Sequence, residues 1–218
     1  GGVQALVRNA RYAVFALDLD GTVAAAGEPI PEIVRVLLRA LREQGVTVVA
    51  ITAQSWNYAL HMGATLEVFD VIVTEKGLET RFVDDRPDII SQAPVYTQHL
   101  EATQALITQI GASNSVKFTM KRAGYAVRLY ADDGGETTDE QDAQILALME
   151  QQAASSGGVF LVDDTTNFYD LTMAGLNKGV ALQNLKDRGV FGSDPVLAAG
   201  NGPTDVSMLR ITDVAFTV

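Results

Sequence analysis

Between Val14 and Ile51 the chain runs apolar strand, amphipathic helix, apolar strand, and this order restricts the fold more than any other feature. Val14, Phe15, Ala16 and Leu17 form an unbroken apolar run, which predicts a buried strand over 13–18. Ile33, Val34, Leu37, Leu38 and Leu41 then recur at three- and four-residue spacing, which predicts a helix over 31–44 with one apolar stripe. Pro31 suits the first position of that helix, and Gly45 closes it. Val46–Ile51 follows as a β-branched strand ending at Thr52. Strands joined in this way pair in parallel through a right-handed crossover. The expected fold is therefore α/β, with a doubly wound, Rossmann-like parallel sheet.

A short helix over 57–64 and a strand over 68–73 continue the pattern. From Gly77 the order changes to strand 79–83, helix 94–110, strands 115–120 and 125–130, helix 139–154 and strand 159–162. Such a β-α-β-β-α-β run can form a compact unit of its own. The loop-like stretches Asp84-Asp85-Arg86-Pro87 and Ser155-Ser156-Gly157-Gly158 mark its borders. A strand over 168–172, a helix over 178–189 and strands over 196–199 and 214–218 then resume the first pattern. The expected organisation is a discontinuous core, 1–78 with 159–218, carrying an inserted small α/β domain at 79–158.

At 218 residues, 47% of them hydrophobic and 20% charged, the chain can bury a sizeable core. It has no cysteine, which excludes a disulfide framework and favours a cytoplasmic setting. No apolar run approaches the roughly 20 residues a membrane span needs, so no membrane partner is expected. The formal net charge of −11 argues against a nucleic-acid surface. An anionic substrate must therefore be met by positive groups placed locally.

The first predicted strand ends in "LDLDGT" (residues 17–22), which sets Asp18 and Asp20 two residues apart. Alternate strand residues point the same way, so the two carboxylates are expected to crowd one volume. Like charges in that position raise a pKa and cost stability unless something offsets them. Three later stretches also sit at or just beyond predicted strand ends, where open sheets carry their sites. They are "AITAQS" at 50–55, "LNKGVAL" at 176–182 and "AAGNGPTDVSML" at 198–209. Lys178, one of only five lysines, opens a predicted helix beside a glycine.

Taken in order, the four stretches resemble the motifs of the haloacid dehalogenase (HAD) superfamily, whose members are mostly phosphatases. The position and strand order of the insert look like that superfamily's C2-type cap, as in sugar-phosphate and phosphoglycolate phosphatases. The resemblance implies a core domain with an inserted cap that selects the substrate. It also implies catalytic roles for Asp18 and Asp20, phosphate contacts from Thr52, Ala53 and Lys178, and a Mg²⁺ site at Asp18, Asp20, Asn201 and Asp205. The chain departs from the pattern in three places. Thr52-Ala53-Gln54 stands where many relatives have Thr-Gly-Arg, Thr204-Asp205 where an Asn-Asp pair is common, and Asn201 where the family has Asp.

The chemistry of these residues is coherent with that assignment. A strand-tip carboxylate can attack phosphorus and form an aspartyl-phosphate. A second can protonate the leaving oxygen and later deprotonate water. A hard cation with oxygen ligands and a lysine would neutralise the charge that both carboxylates and the phosphate bring together. Blander readings stand beside this one. Asp-x-Asp-Gly also suits a turn or a fragment of a calcium loop, Thr52 can simply end a strand, and Asp205 can be a helix N-cap. His61 and His99 are assigned no chemistry. Lys121, Arg122 and Arg128, with Gly124-Tyr125, are candidates for a substrate-facing surface of the insert.

The expected function is Mg²⁺-dependent hydrolysis of a small phosphorylated metabolite, by a monomer or homodimer. The alternatives are a non-catalytic phosphate-metabolite binding protein and a phosphotransferase or mutase.

Overall fold

The computed structural model describes residues 13–63, 65–90, 116–121, 124–131, 138–165 and 168–218. In chain order its elements begin with β1 (Val14–Leu17), α1 (Glu32–Glu43), β2 (Thr47–Ile51), α2 (Trp56–His61), α3 (Thr65–Val68), β3 (Val71–Thr74), β4 (Glu79–Phe82) and β5 (Ile89–Ile90). Next come β6 (Val116–Lys121), β7 (Gly124–Ala131), α4 (Asp139–Ser155), β8 (Phe160–Thr165) and β9 (Phe168–Met173). The chain ends with α5 (Lys178–Asp187), β10 (Val196–Gly200), α6 (Val206–Leu209) and β11 (Val214–Thr217). It divides into two compact units, Gly1–Ser91 with Leu176–Val218, and Gln92–Gly175.

The discontinuous unit is built on a seven-stranded sheet in the order β11-β10-β1-β2-β3-β4-β5. β11, β10, β1, β2 and β3 are parallel, while β4 pairs antiparallel with β3 and β5 antiparallel with β4. Successive strand residues feed two separate cores. Val48, Ala50 and Ile72 pack with Leu38 and Phe69 in one, and Val49, Ile51, Val71 and Val73 with Leu182 and Leu185 in the other. A sheet covered on both faces needs apolar residues at every strand position, which is why the strands show no alternation. Each such side chain contributes about 1.5–3 kcal/mol by leaving water. β1 lies between β2 and β10, so the strand order reverses on either side of it. The crevice beyond the carboxyl end of such a strand is where doubly wound folds bind ligands.

The second unit carries a four-stranded antiparallel sheet, β6-β7-β9-β8. α4 lays Ile145 and Met149 against Phe160, Tyr169 and Leu171. Lys121, a candidate for a substrate-facing surface, instead buries its ammonium 2.6 Å from Asp170. The side chains of Arg122 and Arg128 lie outside the described residues.

Several sequence expectations are corrected. The strand at Glu79–Phe82 belongs to the large sheet, where it pairs with β3, and not to the insert. The strand at Phe168–Met173 belongs to the small sheet, between β7 and β8, and does not resume the core pattern. The unit boundaries therefore fall at 91/92 and 175/176 in place of 78/79 and 158/159. The reason is pairing: each of these strands bonds to the strand just before it, Thr74↔Glu79 in one case and Thr165↔Phe168 in the other. Val68 closes a short helix and does not start a strand. Pro31 is the N-cap of α1, one position earlier than expected. Within α1, Leu38 is buried and Val34 and Leu41 pack on the core, but Ile33 and Leu37 are 67% and 50% exposed. The helix over 94–110 lies outside the described residues.

Candidate active site

Asp18 is the first residue beyond β1. Its backbone N–H donates to Ala199 O at 3.1 Å, which ties the strand tip to β10. The residue is 5% exposed. Its Oδ1 accepts a hydrogen bond from Lys178 Nζ at 2.5 Å, and the same ammonium donates to Asp205 Oδ1 at 2.5 Å. Lys178 reaches this position because α5 begins there: Asn177 caps the helix, its Oδ1 accepting from Val180 N at 2.9 Å. The next residue must be glycine, since a Cβ on Gly179 would stand 2.4 Å from Ser207 O on α6. Asp205 is 1% exposed. Its Oδ2 accepts from the backbone N–H groups of Asn201 and Gly202 at 2.9 and 2.8 Å.

Three buried charges thus sum to −1, two carboxylates against one ammonium. Burial holds the Asp18 carboxyl above its ordinary value, the Lys178 ammonium opposes that rise, and the Asp205 carboxylate adds to it. Asp18 and Asp20 were expected to crowd one another; the neighbouring carboxylate that acts on Asp18 is Asp205 instead. The chain leaves the strand at Asp18, so strand alternation does not reach Asp20. Val23 N donates to Leu19 O at 2.9 Å and Gly21 N to Ala24 O at 2.7 Å, folding residues 19–24 into a turn with Leu19 fully buried.

Asp20 faces other partners. Its Oδ1 accepts from Tyr58 Oη at 2.5 Å and from Gly27 N at 3.3 Å, and its Oδ2 accepts from Gln54 Nε2 at 3.3 Å. Neither Tyr58 nor Gln54 was assigned a role from sequence. The available signal was the helix start: Ser55 is the N-cap of α2, its Oγ accepting from Tyr58 N at 3.4 Å, which puts Tyr58 in the first turn.

Thr52, 1% exposed, is the first residue beyond β2, the strand beside β1. Its N–H donates to Val73 O, and its Oγ1 accepts from Gln54 N at 3.1 Å. Ala53 brings only its backbone to this loop. A turn at Glu75–Gly77 buttresses it, with Glu75 N donating to Gln54 O and Lys76 N to Thr52 O at 2.9 and 3.0 Å. Glu75 and Lys76 both take positive φ, 48° and 58°. Such strain costs of order 1–3 kcal/mol per residue and concentrates at functional sites. Asn201 follows β10 and is exposed. Its amide lies on the first-motif turn: a Cβ on Gly21 (φ +80) would stand 1.9 Å from Asn201 Nδ2.

Of the four side chains expected to hold a metal, two are committed elsewhere. Asp20 is held by Tyr58, Gly27 and Gln54, and Asp205 by Lys178 and two backbone N–H groups. Among the described residues no group of three or more His, Cys, Asp or Glu is arranged to hold an ion. The excess buried negative charge and the oxygen-only donors nevertheless fit a hard cation, with Asp18 and Asn201 as the side chains still available.

A buried lysine thus stands between two carboxylates at the switch point of a doubly wound sheet, the place where such folds bind ligands. Residues 135–218 match the family of haloacid dehalogenase-like hydrolases. The chain is similar to a phosphoglycolate phosphatase of Halorubrum lacusprofundi, 26% identical over 213 residues that cover 94% of this chain and 83% of the relative. Among solved structures it resembles the C-terminal domain of trehalose-6-phosphate phosphatase from C. albicans (TM-score 0.74, 12% identity, 96% of this chain and 77% of the other). It also resembles a haloacid dehalogenase-like hydrolase from Bacteroides thetaiotaomicron (TM-score 0.67, 18% identity, 92% and 85%). No helix among the described residues is long and apolar enough to cross a membrane.

Proposed function

We propose that this haloacid dehalogenase-like phosphatase hydrolyses the phosphomonoester of a small metabolite, a sugar phosphate or phosphoglycolate, through an aspartyl-phosphate on Asp18. The observation that carries the reading is the buried Asp18–Lys178–Asp205 cluster. Placing two carboxylates and one ammonium out of water is expensive, and receiving a phosphoryl group with its charge would give the arrangement a use. The two named phosphatases among the relatives support the substrate class.

In the first step an Asp18 oxygen bonds to phosphorus as the ester P–O bond breaks, and the Asp20 carboxyl gives its proton to the departing oxygen. In the second, the Asp20 carboxylate takes a proton from water, the water oxygen bonds to phosphorus, and the Asp18–phosphorus bond breaks to release inorganic phosphate. Lys178 and the Thr52 hydroxyl hold phosphoryl oxygens, so preorganised charge does most of the work. Asp18 and Asn201 would hold Mg²⁺, which when bound would further neutralise the phosphate. Asp205 fixes Lys178 and the 201–202 backbone and leaves direct ligation to those two side chains. We place the substrate-selecting cap in the inserted unit.

The test is initial-rate hydrolysis of p-nitrophenyl phosphate, phosphoglycolate and trehalose 6-phosphate, with and without Mg²⁺. Mg²⁺-dependent release of phosphate is expected. Asn201→Asp restores a charged ligand and is expected to lower the Mg²⁺ concentration for half-maximal rate roughly tenfold, since ligand charge sets the affinity of such sites. Asn201-Gly202 is prone to deamidation, so mass spectrometry of that peptide accompanies the titration. Binding of the esters without hydrolysis would favour a non-catalytic protein, and transfer to a sugar hydroxyl a phosphotransferase.

A further inference from the structure

We propose that Tyr58 is a positioning residue that fixes the Asp20 carboxyl group and leaves Oδ2 as the oxygen that exchanges the proton. The inference rests on the reading of Asp20 as the acid and base of phosphomonoester hydrolysis. Tyr58 lies in the first turn of α2, which Ser55 caps, and helical side chains lean back toward the helix N-terminus. That lean carries the phenol toward the loop after β2 and onto Asp20. The 2.5 Å separation from Oδ1 is the length of a charge-assisted O–H···O⁻ bond.

The two oxygens of Asp20 are therefore not equivalent. Oδ1 is doubly held, by the Tyr58 hydroxyl at 2.5 Å and by Gly27 N at 3.3 Å. Among the described residues Oδ2 meets only the Gln54 amide, at 3.3 Å. A carboxyl group that must give a proton to one oxygen atom and later take one from water needs one free oxygen and a fixed plane. Tyr58 fixes the plane from outside the reacting atoms. Asp20's own segment adds the longer contact from Gly27 N, at 3.3 Å, so Tyr58 supplies the shorter of the two restraints on Oδ1.

The test is Tyr58→Phe, which removes one hydroxyl and keeps the ring that packs against the core. For an alkyl ester such as phosphoglycolate, whose leaving oxygen needs a proton, kcat/KM is expected to fall about tenfold or more. For p-nitrophenyl phosphate, whose leaving group departs as the anion, it is expected to change by less than about threefold. Vanadate inhibition should be unchanged. In an Asp20→Asn background, Tyr58→Phe should have no further effect on the alkyl ester, because the two residues act as one unit. Equal losses on both esters, or losses that multiply with those of Asp20→Asn, would show a merely structural role and overturn the proposal. Where the wild type shows the leaving-group dependence on Asp20 but Tyr58→Phe matches the wild type, the proposal alone fails. A wild type that hydrolyses none of the esters overturns the phosphatase reading and this proposal with it.

Discussion

Asp18→Asn is expected to reduce hydrolysis by at least about 10⁴-fold, as loss of a covalent nucleophile does, and at the same time to stabilise the metal-free protein at neutral pH. The two effects share one cause. Burial raises the Asp18 carboxyl above its ordinary value of 3.8, and the Asp205 carboxylate raises it further against the pull of Lys178. The folded chain thus holds the proton more tightly than the unfolded chain does. The group costs nothing below the unfolded value, and the cost of ionising it in the fold grows as pH rises through the folded value. Asparagine keeps the shape, carries no charge, and leaves Lys178 paired with Asp205. A gain of about 0.5–2 kcal/mol is expected, typical of relieving a functional site. Urea unfolding of both proteins between pH 4 and 8 checks it: the gap should open as pH rises and narrow when Mg²⁺ is added to the wild type. A variant that is less stable across the whole range would show that Asp18 is not under this electrostatic load.

Lys178→Ala is expected to have the opposite effect on stability, and a larger one. The ammonium is 2% exposed and stands 2.5 Å from each of two buried carboxylates. Removing it leaves both without a cation, a loss of about 3–5 kcal/mol for a broken buried pair. The loss should shrink in acid, where the raised Asp18 carboxyl takes up its proton. Much of it should be recovered in the double variant Asp18→Asn/Lys178→Ala, because residues in one network do not act additively. Activity should disappear in all of these proteins. Wild-type stability for Lys178→Ala at neutral pH would mean that the lysine is not the counter-charge of the site.

Much of this site was legible because of where polar residues fall. Parallel strands buried on both faces admit no polar side chain until their tips, so Asp18 and Thr52 stand out directly after Leu17 and Ile51. Lys178 was legible for a related reason: few lysines exist in the chain, and this one opens a helix beside a glycine. What escaped was anything set by partners distant in sequence. Asp20 meets Tyr58 across 38 residues, and neither residue type announces the other. Asp205 read first as a metal ligand, with a helix cap as the lesser alternative. Its carboxylate in fact serves Lys178 and two upstream backbone N–H groups, an arrangement only the folded loop reveals. The strands Glu79–Phe82 and Phe168–Met173 were found but placed in the wrong sheets, since a strand's own residues do not say which neighbour it will bond. The α1 stripe showed a period but not how much of it the sheet would cover, so Ile33 and Leu37 came out exposed. The positive φ of Glu75 and Lys76 had no sequence signal, because neither is a residue that favours that conformation.

The central claim is that Asp18 becomes phosphorylated during turnover. Mixing the protein with Mg²⁺ and phosphoglycolate or p-nitrophenyl phosphate, quenching in acid within the first turnovers and analysing the peptides by mass spectrometry tests it directly. The account predicts one phosphoryl group on the peptide carrying Asp18, lost on treatment with hydroxylamine and absent from Asp18→Asn. Turnover by the wild type with no adduct on that peptide, together with a persistently active Asp18→Asn, would contradict it.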